Sequence, residues 1–354
     1  MSEIDEYLKV WTDDELHIYF TDDTFTLNTE RVQKICAGIA ERRKNVDIKF
    51  FCEGHVHTLY KNLEIIQVLA DSGCYRIQLG IESGNDKVLK AYGKNTTPEE
   101  ILEVVRLCCE AGIQQIFGNI ILGSAFFDNE TFEADKNFVR KLFHVGKGVI
   151  ELGVVTFWPL PQTKMTMRPT DFGIRIFDME FLTSAGDFPQ TETSELNRLA
   201  IAEKQAELEN FIYEQMIEIL KGRQIPTEKI LQWFGNSRKH PSAWFTVLAQ
   251  LENVHAYYEM LYLGEGDESP DVKDLSAAHP LRVVPLYKHL KRLDKNSISI
   301  FDEKFSLKEL EVVMLTTGKL SVAQIAEKIS LNTIEVIDVL KRLEKKFVVV
   351  YSRR

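Results

Sequence analysis

The sequence predicts an α/β protein: a parallel sheet of five β/α units, then a helical extension and a carboxy-terminal winged helix. Three observations carry this. Strand-like runs recur about every 30 residues through the first part of the chain, the spacing of a strand and its crossover helix. The segments between them, such as TERVQKICAGIAERRK, NLEIIQVLADSGC and PEEILEVVRLCCEAG, place apolar residues at helical intervals. Strands that alternate with helices in this way pair in parallel through right-handed crossovers.

In order, the strand-like runs are LHIYFTDD (16–23), DIKFFCEG (47–54), YRIQLGIES (75–83), IQQIFGNIILG (113–123) and VIELGVVTFWP (149–159). Residues 1–15 are polar and acidic. Thr97-Pro98-Glu99-Glu100 predicts a helix start: a capping threonine, a proline at the first helical position and a glutamate three residues after the cap. The proline-punctuated stretch from WPLPQTKMTMRPTDFG to DFPQTETS reads as an irregular extension lying over a site. Residues 194–222 form one charged helix, and GEGDESPD (264–271) reads as a linker. At the carboxy terminus a helix over 307–315, LSVAQIAEKI (320–329), LNTIEVIDVLKRLEKK (331–346) and FVVVYSRR give the helix, helix, helix, strand order of a winged helix. The expected domains are 1–165, 166–271 and 272–354.

Composition narrows the function. The hydrophobic share of 44% and charged share of 27% are those of a globular protein. A net charge of −10 argues against general affinity for nucleic acid or anionic membrane. The five cysteines, Cys36, Cys52, Cys74, Cys108 and Cys109, show no disulfide spacing and suit a reducing compartment. The longest apolar stretch, around 113–123, is too short to span a bilayer, and MSEIDEYLK is not a signal peptide, so a cytoplasmic location is expected.

Ligands of parallel sheets bind at the carboxyl ends of the strands. Those ends offer Asp22 and Asp23, then Cys52-Glu53-Gly54-His55, then Glu82 and Ser83, and then Gly118-x-Ile120-x-x-Gly123. Asp22 and Asp23 are either acceptors for a ligand amino group or a solvated turn. Glu82 and Ser83 are either aimed at a ligand or a polar strand-ending turn. The glycines allow close approach to the strand backbone, or mark a bulge. His55 and His57 form an i, i+2 pair that reads as polar loop histidines, as substrate contacts or as metal ligands, with no third ligand nearby in sequence.

Together, IYFTDDTFTLN, CEGHV, LADSGCYRIQLGIESGNDKVLKAYGKNTTPEEI and EAGIQQIFGNIILG, with Glu130 and Thr131 downstream, resemble the radical S-adenosylmethionine superfamily. The similarity is to the branch whose members often carry a cobalamin-binding domain upstream, and it covers about residues 16–195. It implies a partial (β/α) barrel with five of six units. It also implies S-adenosylmethionine held by Asp22, Asp23, Glu82, Ser83, Gly118, Ile120, Gly123 and the backbone around Val155. The resemblance further implies a four-iron four-sulfur cluster, radical-based modification of a substrate, and cobalamin through an upstream domain or partner.

The sequence departs from the family at one place. The family holds its cluster through Cys-x3-Cys-x-x-Cys after the first barrel strand, and no cysteines here have that spacing. Cys108 and Cys109 fall within a helix, about 100° apart around its axis. Cys36 lies in another helical pattern, and Cys52 and Cys74 read as buried small hydrophobes. The missing unit is the first, so the chain is expected to be truncated at its amino terminus relative to the family. A partner chain then carries the cluster loop, or this is a gene fragment, or the barrel has left radical chemistry. No metal ligand set is expected within the chain itself.

Residues 304–354 carry ten Lys or Arg against six Asp or Glu, yet the third helix of the winged unit starts with Glu335 and Asp338. Carboxylates there would face phosphate, so DNA is not expected as a partner. Lys341, Arg342, Lys345 and Lys346, at the helix's far end, are expected to meet solvent or the helix dipole. The segment also resembles small winged helices that hold a leader peptide as an added strand. The alternative to a radical enzyme is therefore a non-catalytic barrel remnant that scaffolds a peptide- or protein-binding winged helix.

Overall fold

Five strands pair in parallel, in chain order, to form one sheet: β1 (Glu15–Tyr19), β2 (Asp47–Gly54), β3 (Cys74–Leu79), β4 (Gln115–Leu122) and β5 (Ile150–Thr156). The computed structural model describes residues 1–177, 188–237, 239–268, 270 and 275–352. All five expected strands are present. Their crossovers hold α2 (Thr29–Arg42), α3 (Val56–Lys61) with α4 (Glu64–Asp71), α5 (Asp86–Ala91) with α6 (Pro98–Glu110), and α7 (Asn129–Val145). The short helix α1 (Ser2–Leu8) precedes the sheet. This is the expected partial (β/α) barrel of five units.

The strand sequences alternate, and the alternation decides which side is covered. Ile48, Phe50 and Cys52 of β2, Ile77 and Leu79 of β3, and Ile116, Ile120 and Leu122 of β4 are buried on the face that the helices cover. The opposite face carries Phe51, Arg76 and Phe117. The Arg76 guanidinium lies 5.3 Å from the centroids of both Phe51 and Phe117. Tyr19 stacks on Phe51 at 4.6 Å. Each cation–π contact contributes about 0.5–1 kcal/mol where partly exposed, so the ladder ties β1 to β4 across this opposite face.

The cap read from sequence is in place, and the structure adds a second. Thr97 and Glu100 form a capping box at α6, and Asp128 with Thr131 forms another at α7. The helix α3 was not expected. It is six residues long, and His55 caps it. After β5 come α8 (Lys164–Met167), the hairpin of β6 (Ile174–Ile176) with β7 (Thr191–Thr193), and α9 (Arg198–Lys221).

The chain divides into two units, Met1–Met216 and Ile217–Arg354. The second begins with α10 (Thr227–Asn236), α11 (Ala243–Ala249) and α12 (Glu252–Tyr262), where Trp233 and Trp244 stack at 6.2 Å. β8 (Pro280–Arg282) precedes an antiparallel sheet of β9 (Leu290–Arg292), β10 (Ser297–Ile300) and β11 (Glu303–Ser306), with β10 central. Then follow α13 (Leu307–Leu315), α14 (Val322–Ile329), α15 (Thr333–Lys345) and β12 (Val349–Tyr351). These give the helix, helix, helix, strand order read from the sequence, and β12 pairs antiparallel with β8. Of the GEGDESPD stretch, Asp267 exchanges two backbone hydrogen bonds with Tyr351. Residues 269 and 271 lie outside the described residues.

One detail corrects the sequence reading. Arg342 does not point to solvent: it donates to Glu309 at 2.5 Å, to Glu303 at 3.2 Å and to the Lys304 carbonyl. It also lies over the Phe305 ring at 4.2 Å. The reason is that β11 brings Glu303 and the Phe305 ring, and the first turn of α13 brings Glu309, against the carboxyl-terminal part of α15. Glu335 and Asp338 are exposed as expected, with Glu335 also closing a capping box with Asn332.

Candidate functional site

The sheet's carboxyl edge is built around one unusual residue. β3 stops at Leu79, but the chain pairs again at Glu82, whose N–H donates to the Asn119 carbonyl at 2.9 Å. Ile121 N–H donates back to the Glu82 carbonyl at 2.8 Å. To make this single bridge, Glu82 adopts a φ of 62°, in the left-handed region that side chains rarely enter. Such a conformation costs on the order of 1 kcal/mol and persists only where its surroundings fix it.

The residues that follow supply the fixing. The Ser83 hydroxyl and the Gly84 N–H both donate to Asp135 Oδ1 at 2.7 Å. Asn85 N–H donates to Ser83 Oγ at 3.1 Å, and the Asn85 side chain caps α5. A Cβ on Gly84 would lie 2.3 Å from Phe138 Cβ, so only glycine lets α7 approach this turn. Asp135 is 1% exposed, and burial raises its carboxyl to about 7 despite the two hydrogen bonds.

The Glu82 side chain accepts from Lys94 Nζ at 2.9 Å, and both are half-buried. Gly80 leaves the space they fill, since a Cβ there would lie 2.5 Å from Lys94 Nζ and 3.0 Å from Glu82 Oε1. His55 stands nearby at the end of β2. Its Nδ1 accepts from Thr58 N–H at 3.3 Å, and its N–H donates to Thr26 Oγ1 at 2.7 Å. Burial, then the Lys94 charge, lowers its pKa and keeps the ring neutral. His57 Nδ1 is 3.8 Å from Glu100 Oε2. The helix cap thus uses one of the two ring nitrogens that His55 could offer a metal.

A cavity of about 700 Å³ adjoins this corner. Ile121, whose N–H binds the Glu82 carbonyl, forms part of its wall, as do Tyr92 and Gly93 immediately before Lys94. Val155, Thr156, Phe157 and Trp158 at the end of β5 line it, and Met165 and Phe172 close it from the proline-punctuated stretch. The space is mostly apolar and aromatic, with Lys90 and Lys164 also on its wall and the Glu82–Lys94 pair next to residues that line it. That combination suits a planar, apolar-faced group bearing a charged arm.

The structure distributes the expected site residues unevenly. Glu82 and Val155 stand at the corner and the cavity. Ser83 is fully buried, its hydroxyl given to Asp135. Asp22 is half-buried and forms an ion pair with Arg31 at 2.8 Å, and Asp23 is exposed. Gly118 faces the helix side, where a Cβ would meet Ile81 Cδ1 at 2.4 Å. Ile120 is fully buried, and its contribution to the corner is its bridge with Glu82. Gly123 has a φ of 71°, and its carbonyl accepts from Thr191 Oγ1 at 2.7 Å.

Sequence reasoning missed Lys94 and Asp135. Lys94 lay within the quoted KNTTPEE phrase but had no assigned role. Asp135 left a signal: it falls between Phe132 and Phe138 on the buried stripe of α7, where an acid is out of place.

The cysteines do not fit a cluster. Cys36, Cys52, Cys74 and Cys108 are buried, and Cys109 lies on α6. Cys52 and Cys74 have their sulfurs 3.9 Å apart beneath the helices. Burial raises the thiols of Cys36, Cys74 and Cys108, the opposite of what metal thiolates need. No three of them converge in a loop at the strand ends.

Residues 1–139 match the model of the radical SAM superfamily. An uncharacterized methyltransferase of Pyrococcus horikoshii is 31% identical over 125 residues, 35% of this chain and 26% of that protein. The 4′-phospho-dehydrooxetanocin synthase of Priestia megaterium is 27% identical over 157 residues, 40% of this chain and 21% of that protein. Among solved structures, the cobalamin-dependent S-adenosylmethionine radical enzyme OxsB is 16% identical with a TM-score of 0.42, covering 94% of this chain and 47% of that one. The matched stretch is thus about a quarter of the length of the two curated relatives. The stretch that matches the radical SAM superfamily model, residues 1–139, carries β1 to β4.

Proposed function

We propose that these 354 residues are the S-adenosylmethionine-binding part of a radical enzyme, with the iron–sulfur cluster supplied from outside them. The observation that carries this is the left-handed bridge at Glu82, which sets a half-buried carboxylate beside the wall of the β5 cavity. In this reading the cavity takes the adenosyl group against Ile121, Phe157 and Trp158, with backbone near Val155 facing the base. Glu82 takes the polar arm. S-adenosylmethionine, once bound and reduced at a cluster, supplies hydrogen-abstracting radical chemistry. The residues here bind and orient it and keep water from its apolar face. Cobalamin would be held by a separate domain or partner chain. Titrating the intact chain with S-adenosylmethionine should change tryptophan emission, and Trp158→Phe should abolish that change while calorimetry still detects binding. A wild-type emission that stays constant while calorimetry detects binding would place the ligand away from this cavity.

A second reading rests on a different observation. β11 lies at the edge of its antiparallel sheet, and its end at Ser306 opens on a groove with Leu331, Ile334 and Val339. Ile334 is 78% exposed there. An extended peptide added to β11 would bury it. In that reading the barrel is a non-catalytic scaffold. Hydrogen exchange separates the two: slowed exchange in 303–306 on adding a peptide substrate supports peptide docking, and unchanged exchange opposes it.

A further inference from the structure

We propose that Arg76, on the face of the sheet opposite the helices, binds an oxyanion, a carboxylate or phosphate carried on an apolar body; in the radical-enzyme reading that ligand is the substrate. The side chain is held between two rings, its guanidinium 5.3 Å from the centroids of Phe51 and Phe117. Each ring is supported in turn. Tyr19 stacks on Phe51 at 4.6 Å, and Phe117 lies against Gly153, where a Cβ would stand 3.4 Å from its Cζ. Apolar contacts thus position this cation, and no counter-charge does.

Arg76 is half-buried, and its Nε is buried with no hydrogen-bond partner among the described residues. No carboxylate of the described residues forms an ion pair with it. That includes the two acids of the same face, Glu53 beyond Phe51 on β2 and Glu151 opposite Phe117 on β5. Lys49, another cation of this face, is matched to Glu15 at 2.6 Å. A partly buried charge without a partner costs free energy that a ligand of opposite charge recovers. A guanidinium binds an oxyanion through two parallel hydrogen bonds along one edge. Tyr19, 55% exposed, and Phe51 beneath it offer apolar surface to the group that carries the anion. Arg76 stands four residues before Gly80, about 13 Å along the strand at about 3.3 Å per residue. A ligand anchored here that also reaches the Glu82 corner is therefore elongated.

The test titrates the intact chain with benzoate, phenyl phosphate and the neutral benzamide, without S-adenosylmethionine, and follows binding by ligand-observed NMR. Wild type should bind one or both anions at least tenfold tighter than benzamide, and the stronger of the two tells carboxylate from phosphate. Arg76→Met should bring both anions to within twofold of benzamide. Arg76→Lys keeps the charge and loses the paired hydrogen bonds, so it should weaken the preferred anion at least threefold. Wild type binding all three probes alike, or none of them, would overturn the inference without reference to any variant. An anion preference that survives Arg76→Met would place the site elsewhere and overturn it too. Should Arg76→Met fail to fold, Arg76→Lys decides, and an undiminished preference there overturns the inference. Because S-adenosylmethionine is absent from the titration, failure of that reading would leave this result standing.

Discussion

Asp135 Oδ1 accepts the Ser83 hydroxyl at 2.7 Å, a bond that spans 52 residues of sequence and clamps the turn carrying Glu82. The same oxygen takes the Gly84 N–H. The strand end is therefore held from α7, by a carboxylate that solvent does not reach.

That carboxylate makes stability depend on pH. Burial raises Asp135 from 3.8 to about 7, so between those values the folded chain keeps a proton that the unfolded chain has released. Stability contributed at this site is therefore lost as pH rises through that window, with a slope approaching about 1.4 kcal/mol per pH unit. Asp135→Asn retains an oxygen acceptor and removes the titration. Urea unfolding at several pH values from 4.5 to 7.5 should show wild type losing stability relative to the variant as pH rises. Parallel profiles would contradict this.

Gly118 is expected to matter for packing rather than for contact with a ligand. Its missing side chain accommodates Ile81 Cδ1 at 2.4 Å and the Leu79 carbonyl at 3.1 Å, on the side away from the open face. Gly118→Ala should destabilise the chain by about 1–3 kcal/mol, the usual cost of overpacking a core. Thermal unfolding checks the cost. An unchanged melting temperature would show that the β3–β4 contact has slack.

The chain alone should not assemble a four-iron cluster. Its buried thiols are raised rather than poised as thiolates, and a cluster needs cysteine thiolates converging on it. Anaerobic reconstitution should leave far fewer than about four irons per chain. Full incorporation with the visible absorption of an iron–sulfur cluster would refute this.

The carboxy-terminal helices should not retain DNA. Glu335 and Asp338 are exposed at the start of α15, and Arg342, which would supply charge at its far end, is committed to Glu303 and Glu309. The intact chain should show no salt-sensitive retardation of random duplex at about 100 mM salt. Retardation that falls steeply with added salt would revive a regulator reading.

The strands, their order of occurrence and the capping box at Thr97 were legible because they rest on local chemistry: alternation, helical spacing and a cap. The loss of Gly118 and Ser83 from the open site was not legible. A strand's alternation fixes that neighbours face opposite ways, but not which face the helices cover. Ser83 turns inward because Glu82 before it enters the left-handed region, a non-local consequence of the Asn119–Glu82 and Glu82–Ile121 bonds. Lys94 was invisible for a related reason. Its pairing with Glu82 depends on Gly80 ending β3 without a side chain, a contact between residues 12 to 14 positions apart through a turn and a short helix. Asp135 could have been found, since an acid on the apolar stripe of α7 signals a buried partner.

The central claim is that Glu82 anchors S-adenosylmethionine, and calorimetry of the intact chain tests it most directly. Without the cluster iron, the remaining contacts should give a Kd no tighter than roughly 100 µM, about −5.5 kcal/mol. Glu82→Ala should weaken it clearly, and Asp22→Ala should weaken it less, because Asp22 already pairs with Arg31. Micromolar affinity that neither substitution changes would contradict the account and place the site elsewhere.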